Sequence, residues 1–165
     1  MTNSAAKTKK TNAMRILEGA GIEFEAFEYE FEDCKAGQMA LHSAEISGIP
    51  PEQVFKTIVM RNEQNQIYVF CVPANTTVNP KKARALTGSK EIGSVKPEEL
   101  LGLTGYVRGG CSPLGMKKQY PTYIDETAIL FDWICVSAGV RGMHIKVNGE
   151  KLSEVCGAEL AELTL

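Results

Sequence analysis

Hydrophobic and polar positions change period often along this chain, and the changes mark out short elements. Met14, Ile16, Leu17 and Ala20 share a helical face behind Thr11, whose hydroxyl suits a cap, and Gly19 and Gly21 end the run. Ile22, Phe24 and Ala26 then alternate, as do Phe27, Tyr29 and Phe31; the change of phase between Ala26 and Phe27 predicts a bulge or bend. Gln38 to Ser47 reads as a second helix, closed by Gly48 and Pro50-Pro51. Val54 to Met60 is a strand, Asn62 to Gln66 a polar turn, and Ile67 to Val72 the returning strand of a hairpin. Asn79-Pro80 starts a helix that runs to Leu86 and stops at Gly88. Ser89 to Ile92 reads as a short strand, and Pro97 to Leu101 as a short helix with acids in its first turn. Thr104 to Val107, Thr122 to Ile124 and Trp133 to Ser137 read as strands. Ala138-Gly139 turns the chain, Met143 to Val147 pairs back, and Asn148 opens a last helix to about Cys156.

Helices and strands mix without a regular βαβ alternation, which predicts an α+β fold: a single domain with a curved, mixed, barrel-like sheet flanked by helices. Residues 1–10 read as a flexible lead-in and 11–165 as the domain, with no internal repeat, low-complexity segment or linker.

Composition narrows the picture. Hydrophobic residues make up 44% and charged residues 23% of 165, which excludes disorder, collagen-like repeats and coiled coil. No apolar run approaches the ~18 residues of a membrane span. The polar start, Met1 to Asn12, lacks the apolar core of a secretory signal, so a cytoplasmic protein is expected. Cys34, Cys71, Cys111, Cys135 and Cys156 are odd in number and widely spaced, and so read as reduced, mostly buried thiols. With only His42 and His144, a His-rich metal centre is not expected, and candidates for a Ser-His or Cys-His nucleophile pair are few. The net charge of −2 hides an asymmetry: Lys81 to Lys118 carries eight basic and three acidic residues, while the first part is acidic. One basic region on a near-neutral chain suits a polyanion touched at one place; a solvated surface of mixed charge is the plainer alternative.

Three stretches can carry chemistry. Tyr106-Val107-Arg108-Gly109-Gly110-Cys111-Ser112-Pro113-Leu114-Gly115-Met116-Lys117-Lys118 contains a Gly-Gly pair at which backbone N–H groups can meet a carbonyl or phosphate oxygen with no Cβ between them. It fits none of the common nucleotide loops, and a plain glycine-rich turn satisfies the same spacing. Lys56 shares a strand face with Val54, Ile58 and Met60, so it either snorkels to solvent or projects into a cleft that binds an anion or carbonyl. In Ser137-Ala138-Gly139-Val140-Arg141-Gly142 a guanidinium sits between glycines, which suits a ligand contact or a hairpin turn.

On Phe55-Lys56-Thr57, Asn79-Pro80-Lys81-Lys82, Tyr106 through Lys118, Pro121-Thr122 and Val136 through Gly142, the chain resembles the YbaK/EbsC family. These are aminoacyl-tRNA deacylases related to the editing domain inserted in bacterial prolyl-tRNA synthetase, and the chain looks most like their free-standing Cys-tRNA(Pro) branch. The resemblance implies trans-editing: hydrolysis of the ester on tRNA(Pro) mischarged with a small amino acid, which a proline pocket rejects by only ~1–3 kcal/mol. It implies Lys56, Gly109 and Gly110 as catalytic residues. Lys56 would hold the terminal phosphate or ribose, and the glycine N–H groups would face the ester carbonyl. It implies Tyr29, Ser112, Gly139, Arg141 and His144 around the aminoacyl group, and Lys81, Lys82, Lys117 and Lys118 on the acceptor stem. Neither a metal nor another cofactor nor a protein nucleophile is implied, since in the Cys-specific branch the substrate's own thiol attacks its ester. Aminoacyl-tRNA is the implied partner, with prolyl-tRNA synthetase beside it and no membrane.

One position departs from the pattern. Where the Cys-specific branch carries Asp, two residues after the Gly that follows Arg, this chain has His144. A neutral imidazole supplies no anion for the substrate's amino group. The departure leaves Ala, Ser or Thr open as the amino acid removed, and leaves open a non-catalytic relative that binds tRNA or a synthetase.

Overall fold

The computed structural model describes residues 10–32 and 38–165; the expected lead-in (bar Lys10) and Cys34 lie outside them. Five α-helices and eight strands form among the described residues. Helix α1 spans Asn12–Gly19 and is capped by Thr11, whose side chain accepts from the Met14 N–H. Helix α2 is Met39–Ser47, ended by Gly48 at φ 70°. Strands β2 (Phe55–Asn62) and β3 (Ile67–Pro73) form the expected hairpin. Helix α3, Pro80–Thr87, is capped by Asn79, and helix α4 is Pro97–Thr104. Helix α5, Gly149–Cys156, is capped by Asn148, which accepts from the Lys151 N–H.

The strands make two sheets. Strands β1 (Phe24–Glu28), β6 (Ile134–Ser137) and β7 (Met143–Val147) form an antiparallel sheet in the order β1-β7-β6. With β4 (Ile92–Ser94), β5 (Thr122–Asp125) and β8 (Glu159–Ala161), the hairpin forms a mixed sheet in the order β4-β2-β3-β5-β8. Among the described residues a parallel bridge, Val54 to Cys135, joins the sheets, and they do not close into a barrel. Between them lies the main core of Leu17, Phe55, Ile124, Val136, Ile145 and Leu152. Two smaller clusters cover the other faces: one around Phe70, Val72 and Leu163, the other around Ala44, Val54 and Cys135.

Several local expectations are corrected. The phase change at Ala26–Phe27 is not a bulge, because β1 pairs with β7 in unbroken register from Phe24–Val147 to Glu28–Met143. Both faces of β1 are covered instead: Phe24 and Ala26 pack on the main core, and Phe27 packs on the cluster of Ala44 and Cys135. Thr104 to Val107 is not a strand. Helix α4 continues to Thr104, and Gly105 at φ 86° ends it with its N–H on the Leu101 carbonyl. The short strand expected at Ser89 to Ile92 forms at Ile92–Ser94, where it pairs with the end of β2. Strand β8 had no legible signal, being three residues whose partner is parallel β5.

The last helix depends on its cap. Asn148 accepts the Lys151 N–H at 3.0 Å and donates from Nδ2 to the Asp132 carbonyl. Asn148→Ala is expected to lower unfolding stability by about 1 kcal/mol, read as a shifted midpoint at unchanged m-value in urea denaturation.

Candidate functional site

The two sheets leave a gap along one edge of β2. Strand β4 covers only Met60–Asn62 of that edge, and the bridge at Val54 closes its start. The stretch between them borders a cavity of about 160 Å³. Lys56 and Thr57 form one wall, Ala40 and Ser43 of α2 another, and Arg108, Gly109 and Cys111 a third. Tyr29, Ser137 and His144 close it from the three-stranded sheet and the segment that follows β1. The strand registers explain why these groups meet. Cys135 and Ser137 of β6, His144 of β7 and Phe27 of β1 share the face turned from the main core, while Val136, Ile145 and Ala26 share the face turned to it.

Lys56 and Gly109 therefore border one cavity. The Lys56 side chain is half-buried, and its Nζ donates to the Ala74 carbonyl at 3.4 Å. Burial moves its pKa below the ordinary lysine value, since no carboxylate among the described residues lines the cavity to offset the lost solvation. Gly109 sits at φ 87° in a turn closed by the Gly110 N–H on the Val107 carbonyl. Its own N–H has no hydrogen-bond partner among the described residues.

Gly110, Ser112, Gly139 and Arg141, singled out in the sequence, hold the walls rather than line them. A Cβ on Gly110 would stand 3.1 Å from the backbone of Val140 and Arg141, and one on Gly139 3.0 Å from the Tyr106 ring. These two glycines let the 106–111 loop lie directly on the tip of the β6–β7 hairpin. Arg141 ties the same contact: its Nε donates to the Arg108 carbonyl at 2.8 Å, and its guanidinium lies 5.1 Å from the Phe31 ring centre. Ser112 is fully buried, its Oγ accepting from the Leu114 N–H. Tyr29 is anchored by its N–H on the Gly142 carbonyl, and burial raises its phenol pKa. Ser43, Thr57, Arg108 and Ser137 line the cavity without having been singled out as site residues. For Ser43 the available signal was its spacing from Ala40: two small residues on one helical face.

His144 is buried and held between rings. Phe27 stacks on it at 5.8 Å, and Tyr29 meets it edge-on at 4.6 Å. Its Nδ1 lies 3.1 Å from the Cys135 Sγ. Burial pushes the imidazole down to about 4 and the thiol up to about 12, so both are neutral near pH 7. A neutral, fully buried thiol is not an activated nucleophile, so this pair is no Cys-His catalytic dyad. Cys71 and Cys111 are likewise pushed up to about 12 by burial.

The basic residues differ in what they are free to do. Lys81, Lys117 and Lys118 are exposed, whereas the Lys82 Nζ is engaged by the Thr164 carbonyl at 2.7 Å and by Glu162 at 3.0 Å. Among the described residues no group of three or more His, Cys, Asp or Glu gathers to hold a metal, and no helix is long and apolar enough to cross a membrane.

Comparison with known proteins agrees with this arrangement. The family model described as "Aminoacyl-tRNA editing domain" matches residues 36–155. An Enterococcus faecalis protein named "Putative Cys-tRNA(Pro)/Cys-tRNA(Cys) deacylase EbsC" is 38% identical over 156 residues, 94% of each chain. A solved structure titled as "a putative trans-editing enzyme for prolyl tRNA synthetase" superposes with a TM-score of 0.79 at 25% identity, over 96% of this chain and 99% of that one. Another, titled "hypothetical protein APE2540", reaches a TM-score of 0.82 at 16% identity over 94% of this chain and 100% of that one, a likeness of fold alone. The open edge of β2, the lysine on it and the glycine loop facing it thus sit in a known frame: the chain belongs to the aminoacyl-tRNA editing domain family.

Proposed function

We propose that this protein deacylates mischarged aminoacyl-tRNA in trans, with Cys-tRNA(Pro) as its main substrate. The observation that carries the reading is the meeting at one small cavity of Lys56 and Gly109, whose N–H has no hydrogen-bond partner among the described residues. The Lys56 ammonium holds the terminal phosphate or ribose and orients the ester. The Gly109 N–H faces the ester carbonyl, where negative charge develops. Tyr29, Ser137 and His144 surround the amino-acid side chain, and the Gly110, Gly139 and Arg141 contacts keep the glycine loop in place.

For a cysteinyl ester, the substrate thiolate adds to its own carbonyl carbon. The ester C–O bond breaks, the ribose oxygen leaves and takes up a proton, and a cysteine thiolactone departs. The protein's part is to hold sulfur and carbonyl together, an effect worth ~7–11 kcal/mol of a barrier when fully realised. A second reading, removal of Ala, Ser or Thr by water, is favoured by one observation: no carboxylate among the described residues lines the cavity to pair the substrate's ammonium. Incubation with tRNA(Pro) charged in turn with Cys, Ala, Ser, Thr and Pro separates these readings. Loss of Cys alone supports the first, loss of another residue the second, and hydrolysis of none leaves a tRNA-binding relative. Prolyl-tRNA synthetase is the proposed partner and the cytoplasm the proposed location.

Exposed Lys117 and Lys118 are proposed to meet acceptor-stem phosphates, with Lys81 beside them in this role. The Lys117→Glu, Lys118→Glu double variant is expected to raise KM about tenfold and flatten its salt dependence, with kcat little changed. Lys82→Ala, by contrast, is expected to lower the melting temperature and leave KM little changed, because its ammonium is engaged by the C-terminal residues.

A further inference from the structure

Cys135 has no part in the chemistry above, yet it touches His144, which lines the cavity. The contact joins diagonal neighbours on adjacent strands: Cys135 stands opposite Lys146, two residues from His144, on the same sheet face. The Cys135 side chain is fully buried, and His144 Nδ1 is its hydrogen-bond partner. Neutral imidazole carries its one proton on Nδ1 or on Nε2, and the partner of one nitrogen decides the position. A thiol is a donor with a weakly accepting sulfur, so S–H to Nδ1 is the favoured direction. Nε2, which makes no hydrogen bond to the described residues, then carries the proton.

We propose that Cys135 is a positioning residue that holds His144 as the Nε2–H tautomer, so that the cavity wall presents an uncharged hydrogen-bond donor to an acceptor atom of the aminoacyl group. The flanking rings of Phe27 and Tyr29 keep the imidazole from turning to satisfy Nε2 elsewhere. Low acidity of the thiol and low basicity of the imidazole both keep the pair neutral through the physiological range. The acceptor is a carbonyl, a hydroxyl or an amine in its uncharged form; an ammonium has no lone pair to offer. The assignment deepens the deacylase reading by naming what this end of the cavity recognises.

The test reads the tautomer directly, without substrate. Nitrogen-15 NMR of His144 in the intact protein is expected to show a protonated Nε2 and an unprotonated Nδ1. In Cys135→Ala the ring is expected to become a mixture of both tautomers, and Cys135→Ser, which keeps a donor, is expected to restore the single form. A protonated Nδ1 in the parent protein, or an unchanged tautomer in Cys135→Ala, overturns the proposal. Melting curves show whether each variant is folded, and a protonated Nδ1 in the parent spectrum overturns the proposal even if neither is. In the deacylation assay, Cys135→Ala is expected to lower kcat/KM about fivefold, the loss of one neutral hydrogen bond, with Cys135→Ser rescuing most of it. If the tautomer behaves as expected but no charged tRNA is hydrolysed, the deacylase reading fails and the tautomer assignment stands.

Discussion

Replacing Lys56 by alanine is expected to lower kcat/KM for deacylation by about 100-fold or more, because the charge proposed to orient the ester in a poorly solvated cavity is lost. The fold is expected to survive. Lys56 is half-buried at the end of a strand face, and its side-chain hydrogen bond to the Ala74 carbonyl is long. Unchanged circular dichroism together with the rate loss supports the role, while a folded and fully active Lys56→Ala removes it. The pH profile adds a second reading. Burial places the ammonium's deprotonation below the usual lysine value, so the protonated, phosphate-holding form is lost as pH rises through that lowered pKa. Activity over the uncatalysed ester hydrolysis is expected to fall on the alkaline side earlier than an ordinary lysine allows. Lys56→Arg, which stays charged, is expected to lose that limb even where its rate is lower.

Gly109→Ala is expected to reduce kcat/KM at least about tenfold while lowering stability by roughly 1–2 kcal/mol. Gly109 lies at φ 87°, where a side chain strains the backbone whatever space surrounds it. A Cβ there would also stand 3.0 Å from the Met39 sulfur and from the Phe31 ring. Both neighbours are ends of movable side chains, so the clash itself is relieved cheaply. The relief moves Met39 within the cavity it lines and re-aims the loop whose N–H is proposed to face the ester. Steady-state kinetics beside a urea titration separate the two effects. An alanine variant with full activity and reduced stability would show that this loop only shapes the wall.

How far the site could be read from the residues differs from one to the next. Lys56 was conspicuous because a charge on an otherwise apolar strand face needs an explanation, and the explanation is the uncovered edge of β2. Gly109 and Gly110 were conspicuous together, yet they do different things: one borders the cavity, and the other lets two backbones touch. Ser112, Gly139 and Arg141 had the same local appearance as ligand contacts, and their neighbours turn out to be protein. A glycine beside an arginine has one spelling for a binding loop and for a tightly packed corner, because both require the backbone to come close to something.

What the sequence determined by itself was the run of caps, stops and alternating stretches, and with it the α+β class and the family. Those features are local, and a capping Asn or a left-handed glycine acts within a few residues of its place. Tertiary structure alone decided which face of β1 meets the cavity, since Phe24 and Phe27 are both apolar and both faces are covered. It decided that Cys135 and His144 touch, which depends on the register of two strands and a diagonal across them. It also decided that His144 is uncharged, because desolvation belongs to the assembled cavity and not to any segment of the chain.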